Sequence, residues 1–386
     1  MFNYSKNFWI ICWSMFLFMT SFNLIIPELN DFITELGGAD KKGLIFVLFT
    51  LSSAIARPFS GRLSDLIGRK KVMYIGVTFS IIVSLFYPLS ISVAFFLLLR
   101  FLHGLSAGFL PTGSTALMTD ILPSDKRGIG MGIWGTFTSL GIGVGQGLGS
   151  TVCDYVGIDN LFVISSGLSI FSSILIFFVQ ESLEKPIKFK FNLLKVPSKD
   201  ILERNVFPAA IVMFLSAFCS GVIFVLSPDI SKYVGIQNKG WFFIFYVVCT
   251  IFVRLFFGSL SDKIGRRKTL SIGMFILVIS MILIGYAKTP FAYSIASIVF
   301  GLATGITSPT LFAWTADLSA IHRRGIGAGT MFIALELGIM AGSFSTMLTY
   351  DNTFETVPFT FIIGGFSAFL GFVYLIWHQL NRKSDF

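Results

Sequence analysis

Three ionisable residues lie inside long apolar stretches of the 386-residue chain, where charged side chains are unusual. Arg100 is followed three residues later by His103, so on a helix the two share roughly one face. Glu336 lies deep inside a later apolar stretch. A carboxyl group among apolar side chains holds its proton by desolvation and releases it when water or a cation approaches. We therefore predict that Glu336 couples transport to protons or binds a cationic substrate, and that Arg100 and His103 have functional roles. The alternatives are a structurally paired acid and a buried, hydrogen-bonded histidine.

The elements that must position these residues are apolar helices. The chain is 54% hydrophobic and 13% charged, with a mean hydropathy of +0.81, whereas soluble domains carry about 25% charged residues. A helix needs roughly 20 apolar residues to cross a bilayer, which leaves room for about twelve crossings and excludes an additional soluble catalytic domain. The predicted helices cover residues 7–29, 42–63, 72–90, 92–119, 128–152 and 158–180, then 206–229, 240–260, 269–287, 290–316, 325–349 and 357–380. The first is predicted to be a retained helix, because it is too long for a signal-peptide core and lacks a small-residue cleavage site.

The distribution of charge predicts the orientation of these helices. Of 29 lysines and arginines, 21 fall on the N-terminus, the even-to-odd loops, the central interval and the C-terminal tail, and five fall on the opposite side. By the positive-inside rule both termini are predicted to be cytoplasmic, and the net charge of +9 reports topology instead of a nucleic-acid partner. The four cysteines have no paired spacing, so we expect neither a disulfide framework nor a metal site.

An internal repeat relates the two halves of the chain. Residues 57–71 match residues 254–268 at an offset of 197, with 10 of 15 positions identical, and the offset continues without a gap. The sequence therefore predicts an all-α membrane protein made of two parallel six-helix repeats, at residues 1–180 and 206–386, joined by a cytoplasmic linker at residues 181–205. At this offset Arg100 matches Ser297 and Glu336 matches Ser139, so the shared scaffold does not require either charge.

A loop motif carries a family resemblance. The segment Gly61-Arg62-Leu63-Ser64-Asp65-Leu66-Ile67-Gly68-Arg69-Lys70-Lys71 resembles the signature G-x-L-a-D-r-x-G-r-k-k of the major facilitator superfamily, and residues 258–268 form a second, nearly complete copy. From the residues alone, Gly61 and Gly258 are expected to allow close helix approach, and Gly68 and Gly265 a tight turn. The resemblance implies a charge cluster that latches the outward-facing state by joining the motif to the acidic end of the fourth helix and to an opposing-half helix; the alternative is a basic turn that only sets topology. The residues assigned to the latch are Gly61, Asp65, Gly68, Arg69, Asp120, Gly258, Asp262, Gly265, Arg266 and Asp317.

Two further segments bear on the class of transporter. Residues 99–108 resemble the family's fourth-helix motif, whose arginine is associated with proton coupling and here is Arg100. The resemblance implies that Arg100, with His103 beside it, is a candidate for proton coupling. Residues 141–149 are similar to the motif g-x-x-x-G-P-x-x-G of drug:proton antiporters, except that Gln146 replaces the proline, which weakens the assignment to efflux. Gln146 is predicted either to hydrogen-bond substrate or to pack between helices. The candidates for a central cavity are Asn23, Trp134, Gln146, Tyr246 and Trp314, the aromatic ones having packing or an interfacial belt as the alternative.

The leading hypothesis is a proton-coupled exporter of small amphipathic or cationic compounds that works by alternating access. The alternative is proton-coupled uptake or facilitated diffusion of a sugar, organic acid or other metabolite, in which Arg100 would bind an anionic group. Three histidines without a spaced cluster argue against an enzyme, and the absence of a long soluble extension argues against a receptor. The expected partners are a small-molecule substrate, protons and the lipid bilayer, with no cofactor and no nucleic acid; the resemblance implies a monomer, and composition favours a bacterial cytoplasmic membrane.

Overall fold

The computed structural model describes residues 4–123, 127–197, 201–257, 260–319 and 324–381, without the side chains of residues 127, 128, 255, 257 and 324. Within these ranges the chain is helical and contains no strand. The helices are α1 (Lys6–Ile25), α2 (Leu29–Glu35), α3 (Lys42–Ile67), α4 (Arg69–Phe86), α5 (Val93–Ile121), α6 (Arg127–Val156), α7 (Ile158–Phe178), α8 (Phe207–Tyr233), α9 (Trp241–Phe257), α10 (Leu260–Ile264), α11 (Arg266–Gly285), α12 (Pro290–Leu318), α13 (Arg324–Thr349) and α14 (Val357–Asn381).

Ten helical stretches in the described part of the chain are long and apolar enough to cross a membrane. Large apolar side chains on their surfaces are exposed, for example Phe177 at 68% and Phe291 at 75%. Such exposure is unfavourable in water and favourable in contact with lipid chains. Two predicted spans are absent from this set: α6, which contains nine glycines, and the short apolar helix at Trp241–Arg254.

The predicted loop between the second and third helices is wrong in length. Helix α3 continues to Ile67 and α4 begins at Arg69, so a single residue, Gly68, makes the turn with a φ of 116°. Gly265 makes the equivalent turn in the second repeat with a φ of 92°. Glycine reaches such positive φ values without the steric penalty of a Cβ. The predicted second helix ended too early, at residue 63, and the predicted third helix began too late, at residue 72. The polar motif residues between them were assigned to a loop, whereas most of them are helical.

The chain forms two compact units. One contains residues Met1–Gly37 and Leu48–Ile201, and the other contains Gly38–Val47 and Leu202–Phe386. In the first unit α1 packs on α6 and α7, and α4 packs on α5 and α7; in the second, α8 packs on α13 and α14, and α11 packs on α12 and α14. The two units thus repeat one set of helix neighbours. Residues 38–47, which the repeat places in the first half of the sequence, group with the second unit.

Glycines at four-residue spacing bring α6 against α1. A Cβ at Gly141 would lie 2.5 Å from the backbone oxygen of Phe16, and one at Gly145 would lie 2.7 Å from that of Thr20. In the second unit Gly338 and Gly342 meet backbone atoms of α8 in the same way. Small residues therefore allow the backbones of these helix pairs to approach closely, as their spacing in the sequence indicates.

Candidate functional site

Arg100 is enclosed within the first unit. It lies in the second turn of α5 and is 1% exposed. Its Nη1 atom donates a hydrogen bond to the hydroxyl of Tyr87 at 3.2 Å, and its Cζ atom lies 4.7 Å from the centroid of the Phe49 ring. A ring face attracts a cation, and this attraction is largest where water is excluded. Protein groups thus surround a guanidinium that the sequence placed in an apolar segment.

His103 shares this cluster through Tyr87. The tyrosine hydroxyl lies 3.0 Å from His103 Nδ1, and Ser80 Oγ lies 3.3 Å from His103 Nε2. Both ring nitrogens therefore have hydrogen-bonding partners, and the tautomer follows from which partner donates. Tyr87 is fully buried and joins the arginine to the histidine, so the two predicted residues form one hydrogen-bonded group.

A series of serine hydroxyls continues the network across three helices. Ser80 in α4 lies 2.9 Å from Ser169 in α7, which lies 2.6 Å from Ser21 in α1. The hydroxyl of Ser165 also approaches Ser21 at 3.2 Å. A hydroxyl both donates and accepts, so each serine can reverse its hydrogen bonds when a neighbour changes its protonation. The structure thus couples His103 to α1, α4 and α7.

Glu336 belongs to the second unit and lies twelve residues from the start of α13, about 18 Å along its axis. It is 5% exposed, so its carboxyl group is almost entirely removed from solvent. Burial disfavours a charged carboxylate unless polar partners compensate. The repeat counterpart, Ser139 in α6, is half-buried.

Two predicted cavity residues, Asn23 and Gln146, bond to each other. Gln146 Nε2 donates to Asn23 Oδ1 at 2.9 Å, and Asn23 Nδ2 donates to the backbone oxygen of Met19 at 2.8 Å. Both residues are buried between α1 and α6. The Oε1 atom of Gln146 accepts no hydrogen bond from the part of the chain that the structure describes. Gln146 therefore makes an interhelical contact, which is one of the two roles predicted for it. Its buried Oε1 atom remains available as a hydrogen-bond acceptor.

The aromatic cavity candidates make contacts inside their own units. Trp134 Nε1 donates to Ser114 Oγ at 3.0 Å, which joins α6 to α5. The ring of Tyr246 lies 5.4 Å from that of Phe300, and Trp314, 5% exposed, lies 5.8 Å from the ring of His378. These contacts match the packing alternative that the sequence left open for aromatic residues.

The loop motif of the first unit forms an ionic cluster around Arg69. The guanidinium lies 3.2 Å from Asp65 and 3.0 Å from Asp120, and it donates to the backbone oxygen of Ser64 at 2.6 Å. Ser182 also donates to Asp120 at 2.6 Å. Asp65 lies near the end of α3 and Arg69 is the first residue of α4, so the turn at Gly68 brings the two side chains together. The motif is therefore tied to the cytoplasmic end predicted for α5 and to the residues that follow α7.

The second unit repeats this arrangement around Arg266. Its guanidinium bonds to Asp262 and Ser261, and its Nε atom lies 2.9 Å from Asp317. The expected role of Gly61 in close helix approach is wrong for this conformation, since an added Cβ there meets no atom of the described residues within 4 Å. Gly258, assigned to the same role in the second repeat, lies outside the described residues.

Within its predicted helices, the sequence interpretation missed two acids that are buried in the structure. Glu28 is 5% exposed and accepts a hydrogen bond from Ser150 at 2.7 Å; Asp229 is 4% exposed and pairs with Lys42 at 2.6 Å. Glu336 is therefore not the only buried carboxyl group within the predicted helices. Each missed acid directly follows a proline near the outer end predicted for the first helix of its half, and this shared pattern is the signal that the sequence contained.

Asp229 has a second partner. Tyr350, the residue after α13, donates to it at 2.8 Å, and the hydroxyl of Tyr233 lies 2.9 Å from that of Tyr350. Burial and the neighbouring carboxylate raise the pKa of Tyr350, so its hydroxyl remains a hydrogen-bond donor. Lys42, Asp229, Tyr350 and Tyr233 all belong to the second compact unit.

Comparisons with known proteins agree with this architecture. A multidrug resistance efflux pump PmrA homolog of Lactococcus lactis is 27% identical over 99% of this chain and 96% of its own length. Multidrug resistance protein 2 of Bacillus subtilis is 25% identical over 99% of this chain and 98% of its own length, and the multidrug resistance protein MdtG of Salmonella schwarzengrund is 26% identical over 80% of each. The solved structure of the human organic anion transporter MFSD10 superimposes with a TM-score of 0.76 over 96% of this chain and all of its own, at 19% identity, which shows a common fold.

The family assignment rests on the whole chain. The sequence model of the Major Facilitator Superfamily matches residues 11–236 and again residues 209–385, one match for each half. This double match agrees with the internal repeat and with the duplicated helix packing, and it confirms the resemblance seen in the loop motifs. The chain is a transporter of the major facilitator superfamily, of the kind that resembles multidrug efflux pumps.

Proposed function

We propose that this transporter exports small amphipathic or cationic compounds in exchange for protons, by alternating access of its two halves. Support for the export of such compounds comes from the similarity, over nearly the full length, to one relative named as a multidrug resistance efflux pump homolog and to another named as a multidrug resistance protein. The observation that carries proton coupling is Glu336, a buried carboxyl group inside α13 at a position where the other repeat has a serine. An ionisable side chain inside a membrane span is costly and marks a candidate site for proton or cation coupling.

The topology belongs to the same proposal. Ten apolar stretches, together with α6 and α9, give twelve spans when each half contributes six. The two halves are residues 1–180 and 206–386, joined by residues 181–205, and the distribution of lysine and arginine places both termini in the cytoplasm. The relatives of bacterial origin support a place in the bacterial cytoplasmic membrane, and we propose that the chain acts there as a monomer.

The competing proposal is transport of an anionic metabolite by Arg100. The geometry of the first unit disfavours it, because Arg100 is 1% exposed and already contacts Tyr87 and Phe49. An anion-binding arginine must present its guanidinium to the solute. In this arrangement the cation instead stabilises the polar network that includes His103, so Arg100 acts through its neighbours.

Proteoliposome transport tests the proposal. Lipophilic cations, sugars and organic acids are offered with and without an imposed proton gradient, to the wild type and to the Glu336→Gln variant. We expect proton-driven movement of lipophilic cations, with a loss of about tenfold or more in the variant, since a general acid–base group contributes on the order of 10²-fold or more. The exposed Glu355→Gln is the matched control and should retain activity. Undiminished gradient-driven transport by Glu336→Gln would exclude the proton-binding role, and competition by anions alone would establish the metabolite carrier.

A further inference from the structure

An extended segment after α7 carries apolar and basic side chains in alternation. Residues 186–191 read Pro-Ile-Lys-Phe-Lys-Phe. Residues 186–190 form neither helix nor strand, and Phe191 begins a short 3-10 helix that ends at Leu194. Ile187, Phe189 and Phe191 are 45%, 47% and 82% exposed, and the two phenylalanine rings lie 5.6 Å apart. In an extended chain successive side chains point to opposite faces. The apolar side chains therefore occupy one face of this segment, and Lys188 and Lys190 occupy the other.

The segment is held in place at both ends. The backbone N–H of Ile187 donates to the backbone oxygen of Leu66, near the end of α3, at 2.9 Å. After the segment, Leu193 and Leu194 pack on the apolar cluster of Leu63, Ile67 and Val72 at the turn between α3 and α4. The exposed face is therefore fixed beside the end of two membrane helices. Both helices are long and apolar enough to cross a membrane, so we expect the segment to lie at a bilayer surface.

The charges of the segment favour one kind of lipid. Residues 184–195 contain four lysines and one glutamate, and Lys188 and Lys190 form no ion pair within the described parts of the chain. An exposed phenylalanine is stabilised at the boundary between headgroups and acyl chains, and a lysine is stabilised by anionic phosphates. A bilayer with neutral headgroups would stabilise the phenylalanines but not the lysines. An acidic protein partner would neutralise the lysines but would leave the apolar side chains exposed to water.

We propose that residues 186–191 are a binding site for anionic phospholipid headgroups, with Ile187, Phe189 and Phe191 at the acyl boundary and Lys188 and Lys190 paired with phosphates. This inference depends on the membrane location of the protein and not on proton coupling or export. Each lysine near an anionic leaflet strengthens association by about fivefold. Loss of both lysines is therefore expected to weaken the association by roughly 25-fold.

Hydrogen exchange of the linker amides in nanodiscs tests the proposal without reference to transport. The full-length protein is placed in phosphatidylcholine alone or in phosphatidylcholine with phosphatidylglycerol, with no other protein present. We expect phosphatidylglycerol to slow exchange at residues 188–191 by several-fold, and high salt to reverse much of this effect. Both K188Q/K190Q and F189S/F191S should abolish the lipid-dependent slowing; these side chains are exposed, so the helices should keep their own slow exchange.

The matched control is K41Q/K288Q, which removes the same charge on the side predicted to be extracytoplasmic and should leave the slowing intact. Equal exchange in the two lipid mixtures would overturn the proposal in favour of a segment without lipid selectivity. Slowing that persists in K188Q/K190Q, or that disappears in K41Q/K288Q as well, would also overturn it, because it would then reflect the general charge of the protein.

Discussion

Tyr87 joins two charged or ionisable side chains that the sequence proposed separately. Its hydroxyl contacts Arg100 and His103 in a region from which water is excluded. Tyr87→Phe keeps the ring and removes both hydrogen bonds. We expect a loss of about 1–3 kcal/mol in stability, because a buried donor and a buried ring nitrogen each lose a partner. Thermal unfolding of the purified protein measures the loss.

Tyr293→Phe is the matched control for this substitution. Tyr293 is equally buried, but its hydroxyl bonds to Ser227, which is neutral, so its removal should be milder. A change in the pH dependence of transport in Tyr87→Phe, without one in Tyr293→Phe, would show that the hydroxyl positions the proton-coupling group. Equal unfolding temperatures for the two variants would assign Tyr87 an ordinary packing role.

Single residues differ in how far a sequence reveals them. Arg100, His103 and Glu336 were predicted as candidates because an ionisable side chain within an apolar stretch is conspicuous. Tyr87 was not, because an aromatic residue in such a stretch resembles its neighbours and its partners lie on another helix. Asp229 was also missed, since the proline before it and the polar residues after it resemble a helix end. Only tertiary packing shows that it is buried.

At the scale of the element, the contact between α1 and α6 depends on the lack of side chains at glycines. Gly145→Ala would place a Cβ 2.7 Å from the backbone oxygen of Thr20, which cannot move without moving α1. We expect a loss of about 1–3 kcal/mol, as for other overpacked sites, and a lower yield of folded protein. Gly132→Ala on the same helix is the control, since no atom in the described part of the chain lies within 4 Å of the added Cβ. Equal thermal stability of both variants would contradict this account of the helix contact.

The start of α4 depends on a residue from the linker. The carboxylate of Glu181 accepts hydrogen bonds from the backbone N–H groups of Arg69 and Lys70 at 3.1 and 3.0 Å. A negative charge there also interacts favourably with the helix dipole. Glu181→Gln should therefore lower stability by about 1 kcal/mol and loosen the ionic cluster around Arg69. Thermal unfolding measures this loss, and the exposed Glu184→Gln should show none.

The two compact units of the molecule do not coincide with the two repeats of its sequence. The repeat and the hydrophobic runs predicted the helices and their order well, because both are visible in one dimension. The grouping of residues 38–47 with the second unit could not be predicted, since it depends on contacts such as that between Lys42 and Asp229, 187 residues apart. Helix α3 thus begins in one compact unit and continues in the other. An ion pair forms at its first residue, Lys42.

This division leads to a prediction for the ion pair itself. The side chains of Lys42 and Asp229 are 11% and 6% exposed, and removal of either leaves the other charge buried without its partner. Lys42→Met and Asp229→Asn should each cost up to about 3 kcal/mol, whereas the exchanged double variant K42D/D229K should recover much of the loss. Lys41→Met, at the adjacent position, should have little effect.

An alternating-access cycle that separates the first turn of α3 from α8 must break this pair, so the neutral double variant K42M/D229N should also change the rate of transport. Strictly additive losses in the double variants, together with an unchanged transport rate, would show that the two residues act independently and that the pair has no part in the cycle.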